Sequence, residues 1–149
     1  MIYVVRHAHA GDRTGWDGPD HLRPLSPKGW KQAAALADRL HGVELLLSSH
    51  YLRCRQTLEP LAERLGLPIQ DEPRLVEGTP FREFLELVTT PAPPTAMCTH
   101  GDIVINLVDY LLRRRLTGPD QAGSSKASVC ELEVEDGAIK AARYIPPPG

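Results

Sequence analysis

Three apolar runs punctuate the chain, and each stops abruptly at polar, chemically reactive residues. Ile2-Tyr3-Val4-Val5 ends in Arg6-His7, residues 43–47 end in Ser48-Ser49-His50, and Ala96-Met97-Cys98-Thr99 ends in His100-Gly101-Asp102. Short runs without polar interruption predict strands buried on both faces. Between them the apolar spacing becomes helical. Trp30, Ala33, Ala34, Ala37 and Leu40 follow Ser26 as N-cap and Pro27 at the first helical position, and His41-Gly42 closes that helix. Leu58, Leu61, Ala62 and Leu65 mark a second helix over residues 51–65, in which Pro60 removes a backbone bond and predicts a kink or a split. A short edge strand over 69–71, a loop over 74–80 and a helix from about 81 to 88 precede the third run. A helix starting at Asp102 then carries the stripe Ile103, Val104, Leu107, Val108, Leu111 and Leu112. Residues 128–135 alternate as a strand, Asp136-Gly137 makes a hairpin turn, and 138–145 pair back. The predicted fold is α/β: a three-layer α/β/α sandwich with a mostly parallel central sheet and a C-terminal antiparallel hairpin.

Length and charge narrow the partners. The 149 residues fit one domain, 1–149, and a net charge of -2 provides no basic field for nucleic acid. No apolar run approaches the roughly 18 residues of a membrane span, and Met1 leads straight into a core strand, so a cytoplasmic protein with no membrane partner is expected. Cys54, Cys98 and Cys130 read as reduced, buried thiols. Arg113, Arg114 and Arg115 sit where a helix C-terminus favours cations, with a nucleic-acid or phosphate patch as the competing reading.

In open parallel sheets the loops at the strands' carboxyl ends converge on the ligand. Those ends supply Arg6-His7, residues 48–53 and His100, and the loop after the edge strand supplies Glu77. Arginine forks match the oxygens of a phosphoryl group, and a neutral imidazole can attack phosphorus in line and carry the group covalently. Phosphoryl transfer is therefore the expected chemistry.

Val4-Val5-Arg6-His7-Ala8 resembles the Arg-His-Gly signature of the histidine phosphatase superfamily, the phosphoglycerate mutase-like fold. Ser48-Ser49-His50-Tyr51-Leu52-Arg53-Cys54-Arg55-Gln56-Thr57 resembles its second motif, and Thr99-His100-Gly101-Asp102 its third. The short length and Arg23-Pro24-Leu25-Ser26-Pro27-Lys28-Gly29 look most like the compact phosphohistidine phosphatase (SixA-like) branch. The chain also resembles the phosphatase domain fused to some actinobacterial Nudix hydrolases, although it carries no Nudix signature.

The resemblance implies His7 as the nucleophile that becomes phosphorylated, Arg6 and Arg53 as the cradle of the phosphoryl oxygens, and His100 as a hydrogen-bond donor to the developing charge. It implies Glu77 as proton donor, with Asp20 competing, and Arg23 joins the substrate-binding set. Lys126, in the Ser124-Ser125-Lys126 loop, is a further candidate for a phosphate or a second anionic group. Arg55 is expected to face elsewhere. Arg6 and Arg53 are expected to depress the pKa of His7, and the family commonly holds the nucleophile's other ring nitrogen with a backbone carbonyl. No metal and no cofactor are implied. The implied partner is a phosphohistidine protein or a small phosphomonoester or nucleotide-derived phosphate. Two departures stand out: Ala8 replaces the signature glycine, and His50 replaces a common proline as a rim donor or, the reading preferred, a helix cap.

Two other classes compete. His7-x-His9 with Asp12, Asp17, Asp20 and His21 suggests a metal-dependent phosphoesterase, but the later strand ends offer Arg53 and a single histidine instead of further ligands. A catalytically inactive binding module of the same fold is the other. A cysteine phosphatase would need arginine six positions after its cysteine, where this chain has Pro60, Val104 and Asp136. Trp16 reads as a loop anchor or a cleft wall, and His41 as a solvated cap.

Overall fold

The sheet has the order β3-β2-β4-β1-β5-β6. A computed structural model describes residues 1–148. The strands are β1 (Ile2–Arg6), β2 (Leu45–Ser48), β3 (Ile69–Asp71), β4 (Thr95–Thr99), β5 (Val129–Glu135) and β6 (Ala138–Ile145). The helices are α1 (Pro27–Ala37), α2 (Leu52–Leu65), α3 (Phe81–Thr89) and α4 (Gly101–Arg113). β3, β2, β4 and β1 are mutually parallel, and the β5–β6 hairpin adds two antiparallel pairings.

Alternation along β1 shows why its apolar run has no polar interruption. Tyr3 and Val5 pack with Ala33 and Leu36 of α1 and Leu58 and Leu61 of α2, while Ile2 and Val4 pack with Phe84 of α3 and Ile103 and Leu107 of α4. Both faces of the sheet are covered, giving the three layers, and each such side chain removed from water contributes about 1.5–3 kcal/mol. Asp136 and Gly137 both take positive φ, 52° and 74°, as a two-residue hairpin turn of this twist requires.

Two local expectations differ from the structure. Helix α1 ends at Ala37 instead of at His41-Gly42, because the amides of Asp38 and Arg39 reach back only three residues, to Ala35 and Leu36, and tighten the last turn. Leu40 keeps the apolar spacing because it is buried beyond the helix. Helix α2 is not split by Pro60: one lost bond in 14 residues is outweighed by the buried face Arg53, Cys54, Thr57, Leu58 and Leu61. Cys54, Cys98 and Cys130 are free and buried. Among the described residues no helix is long and apolar enough to cross a membrane.

Candidate active site

Helix α1 leaves β1 toward one face of the sheet and α4 leaves the adjacent β4 toward the other, so a crevice opens at their carboxyl ends. Beyond the strands the ladder continues: the His7 amide donates to the Thr99 carbonyl and the Ser49 amide to the Cys98 carbonyl, both at 3.1 Å. Three motifs distant in sequence are thereby fixed to one edge. Gly101 leaves room for Arg6: a Cβ there would lie 2.6 Å from its Nη2 and would displace the guanidinium that lies against the start of α4.

His7 is 6% exposed, and its Nδ1 lies 2.9 Å from the Ala8 carbonyl. A carbonyl only accepts, so Nδ1 carries the proton and Nε2 keeps the free lone pair. Ala8 is held in turn, its amide donating to Thr57 Oγ1 at 3.0 Å while that hydroxyl donates to the Arg53 carbonyl at 2.7 Å. Burial foremost drives the His7 pKa down to about 3; the Ala8 carbonyl opposes this, and Arg53, His100 and Arg6 add to it. The arginines contribute as the sequence suggests, but exclusion from water is the larger cause. Because the folded value lies below the unfolded one, His7 contributes stability that is fully present above about pH 6.5 and is lost as pH falls toward 3. The urea midpoint should therefore fall more steeply between pH 7 and 4 in the parent than in His7→Gln; parallel slopes would contradict this.

Arg53, fully buried, gives one Nη1 proton to the Asp20 carbonyl at 2.9 Å and Nη2 protons to Asp20 Oδ2 at 3.1 Å and Glu77 Oε1 at 2.8 Å. Arg6 donates through Nη1 to the Ser124 carbonyl at 2.7 Å. Nε of Arg6, Nε of Arg53 and Nδ1 of His100 are buried without a hydrogen-bond partner among the described residues. An unmatched buried donor costs roughly 1–3 kcal/mol, and an acceptor-rich group entering the cleft would recover it. Ser49, whose part the motif alone did not reveal, orients His100. Its Oγ accepts the Tyr51 amide at 3.3 Å and lies 2.8 Å from His100 Nε2, a geometry in which the hydroxyl can give its own proton to Nε2 and leave Nδ1 as the donor.

Glu77 rides on a loop tied twice to the third motif, by Thr99 Oγ1 donating to the Leu75 carbonyl at 2.6 Å and by the Gly78 amide donating to Asp102 Oδ2 at 2.8 Å. Its Oε1 stands 3.4 Å from His100 Nδ1. Asp20 approaches Arg53 from outside the residues lining the cleft. Burial alone would raise the Asp20 pKa, but hydrogen bonding from Arg23, the charge and hydrogen bond of Arg53, and Arg13 outweigh it and hold the carboxyl ionised below its usual range. Arg23 is buried at the cleft wall, with Nε on Asp20 at 3.2 Å and Nη1 on the Ala10 carbonyl at 2.7 Å, so much of it braces the loop after β1. Arg13, which the aperiodic loop did not advertise, stands at the rim 3.6 Å from Asp20 and 3.9 Å from Glu77. Lys126 also lines the cleft, its ammonium held below the usual range by burial and then by Arg6, Arg23, Arg53 and Lys28.

Other candidates lie elsewhere. Arg55 pairs with Asp71 and the Ile69 carbonyl. His9 points its Nδ1 at Ser26 Oγ, 2.6 Å away, and lines a separate groove, so it does not meet His7 over a shared ligand. Among the described residues no three His, Cys, Asp or Glu side chains gather as a metal site. His50 does not cap α2, whose N-cap Tyr51 makes no side-chain cap bond; its ring packs on Tyr51 and His21 at 5.0 and 6.2 Å. Trp16 anchors its own loop by donating to the Pro19 carbonyl at 2.9 Å.

The cleft, about 700 Å³, thus sets an unprotonated imidazole nitrogen among free guanidinium and imidazole donors, with the carboxylates of Asp12, Glu77 and Asp102 on its wall. The family model for the histidine phosphatase superfamily (branch 1) matches residues 2–79. An 8-oxo-(d)GTP phosphatase of Mycolicibacterium smegmatis is 35% identical over 99% of this chain and 48% of its own length. The phosphohistidine phosphatase SixA of Escherichia coli is 33% identical over 48% of this chain and 45% of its own. The chain spans about half the length of these curated relatives. In fold it is similar to SixA from Agrobacterium tumefaciens, with a TM-score of 0.73 and 23% identity over 99% of this chain and 96% of that one.

Proposed function

The chain belongs to the histidine phosphatase superfamily, branch 1, and from that membership we propose that residues 1–149 act as one phosphatase domain working through a phosphohistidine intermediate on His7. The carrying observation is the set of three buried, unmatched donors, Arg6 Nε, Arg53 Nε and His100 Nδ1, around a histidine whose Nε2 is free. A tetrahedral phosphoryl group offers oxygens to all three.

In the first step His7 Nε2 attacks phosphorus in line, the bond from phosphorus to the leaving atom breaks, and Glu77 supplies the proton that atom needs. Arg6, Arg53 and His100 hold the equatorial oxygens as charge develops. In the second step water attacks phospho-His7, Glu77 takes back the proton, and phosphate departs. The substrate is a phosphohistidine protein or a small phosphomonoester or nucleotide-derived phosphate; the two named relatives support one reading each.

Turnover of p-nitrophenyl phosphate tests the reading and its rivals together. Rates should survive exhaustive chelation, because guanidinium groups supply the positive charge. Loss restored by a divalent ion would favour the His7/His9 metal reading, and no turnover at all the inactive module. Glu77→Gln should slow aryl phosphates with poor leaving groups far more than activated ones. Asp20→Asn, which loosens Arg53 and Arg23, should slow both alike; the reverse pattern would move the donor role to Asp20.

A further inference from the structure

We propose that the substrate is a small molecule carrying a second phosphate, set several atoms away from the one transferred, which seats in the groove beside the His7 cleft between Lys28 and Lys126. The inference rests on the phosphatase reading and names the substrate class of that site. The groove, about 560 Å³, is a separate hollow that shares Lys126 with the cleft as a common wall. Lys126 is the residue common to both linings, so a second phosphate seated in the groove is divided from the transferring phosphoryl by that side chain.

The polar groups facing this groove are donors. Lys28 and Lys126 bring ammonium groups, and neither pairs with a carboxylate among the described residues. Gln32 uses its carbonyl oxygen to accept the His9 amide at 3.0 Å, which leaves its NH₂ free. His9 presents its ring on the same wall, with Nδ1 2.6 Å from Ser26 Oγ and 3.4 Å from the Gly11 amide. Among the described residues no acidic side chain borders the groove, and Ser125 adds a hydroxyl. Such a lining suits an anion with several acceptor oxygens and repels a cation. Crowding supports the same conclusion: His9 is held below its usual range by burial, then Lys126, Lys28 and Arg23, and an anion between them relieves that repulsion.

Adenosine 3′,5′-bisphosphate, adenosine 5′-monophosphate, adenosine diphosphate and p-nitrophenyl phosphate serve as probes, the base being a common handle. In the parent, kcat/KM for the bisphosphate should exceed that for the monophosphate by about tenfold, the equivalent of one charge-assisted contact. Lys28→Ala should shrink this ratio and Lys28→Glu should bring it near one, chiefly through KM. Equal values for the two substrates in the parent, or a ratio indifferent to both Lys28 variants, would overturn the subsite. So would a diphosphate that depends on Lys28 as strongly as the bisphosphate does, because its phosphates are directly linked. Failure of the parent to turn over p-nitrophenyl phosphate and every nucleotide would instead overturn the phosphatase reading beneath it.

Discussion

His7→Ala should abolish turnover and, with it, a phosphoryl label that is acid-labile and alkali-stable. The label is the sharper measurement. Labelled substrate quenched without acid should mark the parent at a single histidine, because phosphorus bonded to nitrogen survives alkali and a serine ester or acyl phosphate behaves differently. Removing a nucleophile from a site whose parts act together commonly lowers the rate by roughly 10⁴–10⁶-fold. That range applies because Nδ1 is committed to the Ala8 carbonyl and burial keeps the ring neutral, so Nε2 is available as a nucleophile at any ordinary pH. Label persisting in His7→Ala, or an alkali-labile acyl phosphate, would transfer the role to a carboxylate such as Glu77.

Arg53→Ala should lose at least about 10²-fold in kcat/KM, the usual consequence of deleting one charge stabiliser of a transition state. Its folded state should weaken too, since Asp20 and Glu77 would both lose their buried partner. Arg53→Lys should recover stability better than rate: a single ammonium can satisfy a carboxylate but cannot reproduce the planar fork. Arg55→Ala is the matched control. Its guanidinium pairs with Asp71, a carboxylate 60% exposed, and such surface pairs contribute at most about 1 kcal/mol. Equal losses in Arg53→Ala and Arg55→Ala would mean that neither arginine touches the reacting oxygens.

The strand ends were legible because each apolar run halts at polar residues, and burial on both sheet faces enforces that contrast. β3 and α3 were legible instead from what bounds them, Gly66-Leu67-Pro68 before the strand and Pro80 before the helix. What remained hidden depends on contacts between segments with no shared pattern. Asp20 and Glu77 meet on one guanidinium, yet one comes from an aperiodic loop and the other from a turn. Ser49 stands in plain view within its motif, but its hydroxyl matters through a ring nitrogen from β4's exit. Of the two readings open for His50, rim donor and helix cap, the cap fails because Tyr51 holds the N-cap position and the His50 ring lies on the aromatic cluster of Tyr51 and His21. Strand order was not legible either, since no local signal says that β4 inserts between β1 and β2.

That insertion sets a timetable for making the protein. β1 and β2 share no ladder; each pairs with β4, Ile2 opposite Thr95 and Leu45 opposite the same Thr95. A nascent chain that has left the ribosome only as far as Gly78 carries His7, Arg6 and Arg53 but has nothing to lay them side by side. Competence arrives when a late segment threads between two early ones, with β5 then closing against β1. Pairings this distant in sequence make folding slow, and the waiting β1 and β2 edges are the places where premature association between chains would begin.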